Sequence, residues 1–360
     1  MTLSWVAVNV NNGQMIADLP ELDMRGMFGC TMMRYETQTA SLPALSAPPN
    51  WRQATRPGAV WIVCLDDDGA TPLWGGMVID RRTNHAGQVE LSLATPEAYF
   101  DRRYVGNRTY AGTAQNLIAK DLVESYIKTA DMAGIAIRVQ IIGSNGTARD
   151  RAYKAVEDKT VYSVLGDLAG VIGGPEWTVG WENVNNLITP VFYVGNRIGR
   201  SAPSGLKPAA QFYLPGSVTS AELGESYTSQ LGANRVIAVS SGVDDARPQS
   251  SQKANTTDMR PAFEYRWSPS TSITDTATLD AHADRALAAM KDGGLGLEIT
   301  ANRAEAPRLG KDWFVGDDIG FDLTGPAWPD GIYGTGRCVG WRMDANTIQP
   351  LIDVTSIGGL

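Results

Sequence analysis

Val60-Trp61-Ile62-Val63-Cys64, Asp66-Asp67-Asp68-Gly69, Gly75-Gly76-Met77-Val78-Ile79 and Gln88-Val89-Glu90-Leu91-Ser92-Leu93, all within Pro57 to Arg103, decide the reading of this chain. Each apolar run is short, rich in β-branched or aromatic residues, and bounded by Gly, Asp or Asn. This is the pattern of antiparallel strands joined by hairpins. A degenerate copy closes the chain. Val315-Gly316-Asp317-Asp318-Ile319-Gly320-Phe321 leads to Gly336-Arg337-Cys338-Val339-Gly340-Trp341-Arg342 and then to Leu351-Ile352-Asp353-Val354. Setting Gly76 on Gly336, an offset of 336 − 76 = 260, also sets Arg82 on Arg342 and Leu91 on Leu351 without a gap. Two similar β units are therefore expected to bracket a different middle.

Upstream of the first unit, Trp5 to Val10 reads as a strand that ends at Asn11-Asn12-Gly13, a turn suited to positive φ. Thr31 to Glu36 reads as another strand, followed by a Pro-rich crossing from Leu42-Pro43 to Pro48-Pro49-Asn50-Trp51. Residues 1–105 then hold enough strands for a small barrel or sandwich.

The character changes at Thr113. Thr113-Ala114-Gln115-Asn116 reads as an N-cap, and Ile118, Leu122 and Tyr126 follow at helical spacing, which predicts an amphipathic helix to about Ala130. Ile135 to Ile141 alternates like a strand. Thr160 caps a second predicted helix with Val161, Val164, Leu165, Leu168, Val171 and Ile172 on one face, stopped by Gly173-Gly174-Pro175. Trp177 to Trp181 and Pro190 to Val194 read as a hairpin across Glu182 to Asn186. Asn196 to Gly216, rich in Gly, Ser and Pro, is an extended connection and a candidate boundary. Arg235 to Val239 opens the second β region and Phe263 to Trp267 continues it, with a long polar loop from Ser240 to Asp258 between them. Thr276 or Asp275 caps a helix with Leu279, Ala283, Ala286, Leu287 and Met290 on one side, ended by Gly293-Gly294. The predicted organisation is 1–105, 106–220 and 221–360, the last with a helix inserted at about 276–292.

At 360 residues, two or three domains are expected. A hydrophobic share of 43% with 19% charged residues describes a globular chain. The net charge of −8 argues against non-specific nucleic-acid binding, which depends on Lys and Arg neutralising phosphates. No basic segment precedes an apolar leader, and no apolar run reaches the roughly 20 residues of a membrane span. Synthesis and folding in the cytoplasm are expected. Cys30, Cys64 and Cys338 are odd in number and widely spaced, which suggests buried thiols rather than a disulfide framework or zinc site.

Catalytic patterns are sparse. Only His85, in a turn, and His282, in the last helix, could serve imidazole chemistry or a zinc site, and neither has ligand spacing nearby. Asp66 to Gly69 lacks the alternating ligands of a calcium loop and reads as a hairpin tip, and Asp317-Asp318 reads likewise as structural, acidic residues at a strand entry. Gly75-Gly76 matches no phosphate-binding loop. Trp177 and Trp181 share a strand face, so a sugar-binding platform stands beside the simpler reading of core packing. No catalytic, cofactor-binding or metal-binding residues are assigned, and a non-enzymatic protein is expected.

The order of pieces resembles the tail hub proteins of long-tailed phages, often labelled minor tail proteins, especially those infecting actinobacteria. The resemblance rests on Leu91 to Thr95, Tyr99-Phe100-Asp101-Arg102-Arg103, Gly112 to Ile118, Pro57-Gly58, Gly75 to Val78 and the Thr160 to Gly174 helix. It implies an α+β, mainly β fold in which two tail-tube-like β-barrels flank a helix-containing middle domain, the phage baseplate-hub architecture. It also implies a homotrimer at the virion tail tip, presenting 3 × 2 = 6 barrels to a hexameric distal tail protein ring. A central fibre or other minor tail proteins would lie on the far side. The tape measure protein and DNA would pass through the lumen without specific binding. Three copies carry 3 × −8 = −24, which suits a channel that DNA must not adhere to. Larger members carry additional C-terminal domains, some of which cut peptidoglycan. This chain stops at Leu360, soon after the second barrel, which leaves little room for such an extension. A carbohydrate-binding tail module and a cell-wall hydrolase are the alternative functions. Ser240 to Asp258 and Asn196 to Gly216 are the candidate partner surfaces.

Overall fold

A computed structural model describes residues 3–66, 68–128, 134–171, 173–202, 206–228, 232–242, 247–257, 259–269, 273 and 275–358. Asp67, Ala130, Ile172, Asp244-Asp245 and Asp258, singled out above, lie outside the described residues, as does part of the Asn196 to Gly216 connection. The fold is mainly β. The chain forms two compact units, Met1–Ala221 with Ile299–Leu360, and Glu222–Glu298. This division differs from the three parts expected, because the closing β region belongs to the first unit.

The first sheet draws on β1 (Ser4–Asn9), β2 (Met15–Asp18), β3 (Asp23–Met24), β5 (Thr37–Pro43), β6 (Val60–Leu65), β7 (Pro72–Thr83) and β8 (Gln88–Ala94), in the order β2-β1-β6-β7-β8-β5-β3. β6, β7 and β8 form the expected antiparallel meander. β4 (Phe28–Thr31) leaves this sheet and pairs with the second. The predicted Thr31 to Glu36 strand is replaced by a turn in which Met33 takes φ 59, since β4's partner lies far along the chain. A short helix, α1 (Trp51–Ala54), occupies the end of the Pro-rich crossing.

Beyond α2 (Glu97–Phe100), β9 (Arg108–Ala114) runs directly into α3 (Gln115–Tyr126). Thr113 lies within the strand rather than capping the helix. Ala114 holds the N-cap position, and the Thr113 hydroxyl donates to Ala111 O at 3.2 Å. β10 (Arg138–Ile142) and β11 (Ala148–Tyr153) precede α4 (Val161–Ala169). Thr160 caps α4 as predicted, its Oγ1 accepting from Ser163 N at 3.1 Å. The helix ends at Gly170, one turn before the Gly173-Gly174 stop, so Val171 falls beyond it. β12 (Glu176–Val184) and β13 (Leu187–Gly195) make the predicted hairpin. Its turn is only Asn185-Asn186, both at positive φ (55 and 63), the two-residue form that matches strand twist. β10 joins β13 in parallel, and β11 pairs with β9.

One buried cluster includes Val8, Trp61 and Val63 of the first sheet, Phe100, Ile118 and Leu122 of the helical part, and Trp177 and Phe192 of the hairpin. The core is therefore continuous across residue 105. Gly75 permits this packing: a Cβ there would stand 2.3 Å from the Trp181 ring, so glycine lets the hairpin lie against β7.

The second sheet follows β14 (Ala210–Leu214), β15 (Val218–Ser226), β19 (Gly294–Asn302), β20 (Asp318–Gly325), β21 (Trp328–Met343) and β22 (Thr347–Gly358) in the order β14-β20-β21-β22-β19-β15, with β4 on β21. Laid on the first sheet, β20-β21-β22 matches β6-β7-β8, β19 matches β5 and β15 matches β3. The bulges agree as well. β7 shifts register between Val78 and Asp80, and β21 between Cys338 and Gly340. Ile79 plus 260 is Val339. The gapless alignment fails one turn later. Arg81 faces Leu91, whereas Trp341 faces Pro350. The β21–β22 turn is one residue shorter, so Leu91 is equivalent to Pro350, and Leu351 points to the opposite face. Burial agrees: Val89, Leu91 and Leu93 are buried, as are Ile348, Pro350 and Ile352.

The second unit holds β16 (Arg235–Ala238), β17 (Lys253–Ala254), β18 (Glu264–Trp267) and α5 (Thr276–Met290). β16 pairs antiparallel with β17 and parallel with β18. Leu279, Ala283 and Ala286 of α5 pack on Val236 and Ala238. The Arg235 and Phe263 segments thus belong to a small α/β unit, not to the closing β region expected above. Their apolar residues are covered by α5, whose N-cap is Asp275, accepting from Thr278 N at 2.8 Å.

Candidate functional site

The expected hairpin tip at Asp66 is an anchor. Asp66 is buried and receives Arg308 at 2.5 Å, with Arg303 at 3.7 Å. Both arginines follow β19. A carboxylate so enclosed is tolerable only because its charge is paired. Asp68, exposed, accepts from Ala70 N, Thr71 N and Thr71 Oγ1 at 2.7–2.9 Å and meets Lys311 at 3.0 Å. The Thr71 and Ala70 backbone hydrogen bonds hold its carboxyl well below the usual range.

Asp317-Asp318 anchors the other side. Asp317, 1% exposed, accepts from Arg200 N, Nε and Nη2 at 2.6–3.1 Å and from Phe314 N at 3.0 Å. Asp318 takes Arg197 Nη2 at 2.5 Å and Ala202 N at 2.7 Å. Arg337 of β21 grips Glu176 of β12 through two contacts of 2.5 Å and also donates to Ile198 O at 2.9 Å. Residues 196–202, expected as the start of a free polar connection, are thereby fastened between β12 and the second sheet. The arginine partners of each acidic pair lie over 100 residues away, which explains why neither pair could be interpreted locally.

An aromatic cluster completes the joint between the sheets. Phe28 of β4 meets Trp5 at 5.1 Å, Trp74 at 5.5 Å and Trp341 at 6.1 Å, all edge-on. Trp74 Nε1 donates to Gly29 O at 2.8 Å. β4 is thus an arm of the first sheet seated on the edge of β21.

The proposed sugar platform is overturned. Trp177 is 1% exposed and packs on Phe100, Phe192 and Tyr162. Trp181 turns its edge onto Trp61 at 5.5 Å. Both aromatics serve packing, so no flat pair faces solvent. His85 is exposed in the β7–β8 turn, and His282 lies edge-on to Trp267 at 5.6 Å. Among the described residues, no three His, Cys, Asp or Glu side chains cluster in a way that could hold a metal. Burial pushes the Cys338 thiol up to about 12, and raises Cys64 and Cys30 as well, so all three stay protonated at neutral pH. A 260 Å³ cleft on the first sheet is lined by Arg25, Asp80, Arg82 and Glu90, whose charges pair with each other as Arg25–Glu90 and Arg82–Asp80, each at 3.2 Å. Among the described residues, no helix is long and apolar enough to cross a membrane.

No protein-family model matches the sequence, and no curated protein matches it. Solved structures do share the fold. The 43 kDa tail protein of prophage MuSo2 from Shewanella oneidensis is 12% identical, with a TM-score of 0.59 over 97% of each chain. The tail protein from Neisseria meningitidis MC58 is 15% identical, with a TM-score of 0.56 over 97% of this chain and 96% of that one. Prophage tail protein gp18 from Listeria monocytogenes EGD-e is 10% identical, with a TM-score of 0.51 over 98% and 95%. The chain therefore shares the fold of these phage tail proteins over 97–98% of its length.

Proposed function

We propose that this chain is a structural component of a phage tail, acting as a trimeric hub at the tail tip rather than as an enzyme. The observation that carries this reading is the repeated sheet, whose β6-β7-β8-β5-β3 order recurs as β20-β21-β22-β19-β15 down to the bulge at Ile79 and Val339. A chain with two equivalent β units forms six in a trimer, so threefold symmetry on one side can meet a sixfold ring on the other. The shared fold with three prophage tail proteins supports the setting. In this role the hub binds a hexameric distal tail ring above and a central fibre or other minor tail protein below. The ring of six encloses the path of the tape measure protein and DNA, and the formal charge of −24 per trimer keeps that path from binding DNA. Native mass spectrometry of the purified chain tests the reading: a species of 3 × 38.7 = 116.1 kDa is expected, and a monomer across the micromolar range contradicts it.

A further inference from the structure

The two equivalent strands differ on one edge. Past its bulge, β21 is paired on both sides: β22 on one, and β4 on the other through Gly340–Thr31, Trp341–Cys30, Arg342–Gly29 and Met343–Phe28. Past its own bulge, β7 has β8 on one side only, because β6 pairs no further than Met77. The 260-residue offset makes Asp80 to Thr83 the counterparts of Gly340 to Met343. Arg81 reaches α1, donating to Arg52 O at 2.7 Å, but Asp80, Arg82 and Thr83 are exposed and Ile79 is 51% exposed. Its counterpart Val339 is half-buried, with its carbonyl taken by Met32 N beside β4.

The topology identifies the missing occupant. β4 lies in the connection from β3 to β5. In the second sheet the same slot, from β15 to β19, holds most of the 222–298 unit. Within one copy, the arm of the first sheet covers the β21 edge of the second. Continuing that rule around a ring, the arm of the second sheet covers the β7 edge of the next copy's first sheet. That unit also carries an exposed apolar side chain, Met259 at 99% exposure. Strand edges with unpaired backbone are ready templates for such additions.

We propose that the β7 edge from Ile79 to Thr83 is the receiving surface for the 222–298 unit of a second copy of this chain. It rests on the trimeric hub reading. The test places a benzoylphenylalanine photo-cross-linker at exposed Arg82 in the full-length chain, mixes isotopically light and heavy protein, and maps the cross-links by mass spectrometry. Cross-links to residues 222–298 of the oppositely labelled copy are expected. As a second readout, Ile79→Asp, a change at an exposed position, raises the concentration at which the trimer half-dissociates at least tenfold while the circular dichroism spectrum is retained. A trimer whose Arg82 probe links to other segments or to none overturns this contact and leaves the hub reading standing. A chain that remains monomeric with no inter-copy cross-link overturns both.

Discussion

β7 and β21 hold the same position in two equivalent sheets, carry a bulge at the same point, and end in opposite surroundings. β21 continues into Trp341 and Met343, both buried, under a strand delivered by the first sheet. β7 continues into Asp80, Arg82 and Thr83, all exposed. One architecture thus supports a sealed edge and a bare one, and the side chains have diverged to match: Trp341 and Met343 stand where the first copy has Arg81 and Thr83. A duplicated unit needs identical strand order to pack alike, but its edges evolve toward whatever each one meets.

The largest expected effect lies in the sealed copy. Trp341→Ala removes a buried ring from the Phe28 cluster and destabilises the chain by about 3–5 kcal/mol, whereas Arg81→Ala at the equivalent place costs about 1 kcal/mol or less, both read by urea unfolding. Equal losses at the two positions contradict the difference between the two edges. The turns come next. Asp66→Ala removes the buried carboxylate that pairs with Arg303 and Arg308 and costs roughly 3 kcal/mol, while Asp322→Ala, exposed on β20, stays within about 0.5 kcal/mol.

A pH effect sharpens the contrast further. Glu97 follows β8, is 2% exposed, and has no bonding partner for one carboxyl oxygen. Burial lifts its pKa from 4.5 to about 7, against hydrogen bonds from Thr95 and the Val179 backbone. The folded state therefore binds this proton more tightly than the unfolded state. The site costs nothing below about pH 4.5, and the cost grows as pH rises toward 7, reaching roughly 3 kcal/mol above it. Glu97→Gln is expected to stabilise the chain by about 1–3 kcal/mol at pH 8 and to leave it unchanged at pH 4, by urea unfolding at the two values. An equal effect at both contradicts the assignment. The smallest change is Asp68→Ala, which removes an exposed turn acceptor and lowers stability by about 0.5–1 kcal/mol.

The β6–β7–β8 meander was legible because its partners are adjacent and its turns are written in Gly, Asp and Asn. The caps at Thr160 and Asp275 were legible for the same local reason. β4 was not. Its four residues include Gly29, and its partner is distant, Cys30 facing Trp341 at a separation of 341 − 30 = 311 residues. Nothing in the Phe28 to Thr31 segment announces a strand. A Cβ on Gly29 would stand 1.9 Å from Trp341 O, so the glycine is required by a contact that only the fold reveals. The apolar strands Arg235 to Ala238 and Glu264 to Trp267 suited the closing β region equally well by pattern, and only their parallel pairing under α5 separates them from it. Of the site, the acidic pairs were visible but not their arginines. Trp177 and Trp181 were visible as a face, while the direction of that face, toward Phe100 and Trp61, was not.

The proposed hub makes the two sheets equivalent ring elements, and electron microscopy of the purified assembly viewed down its axis tests that arrangement. A ring with six similar densities at low resolution, resolving into three identical pairs at higher resolution, is expected. A ring of any other order, or isolated single copies at micromolar concentration, would contradict it.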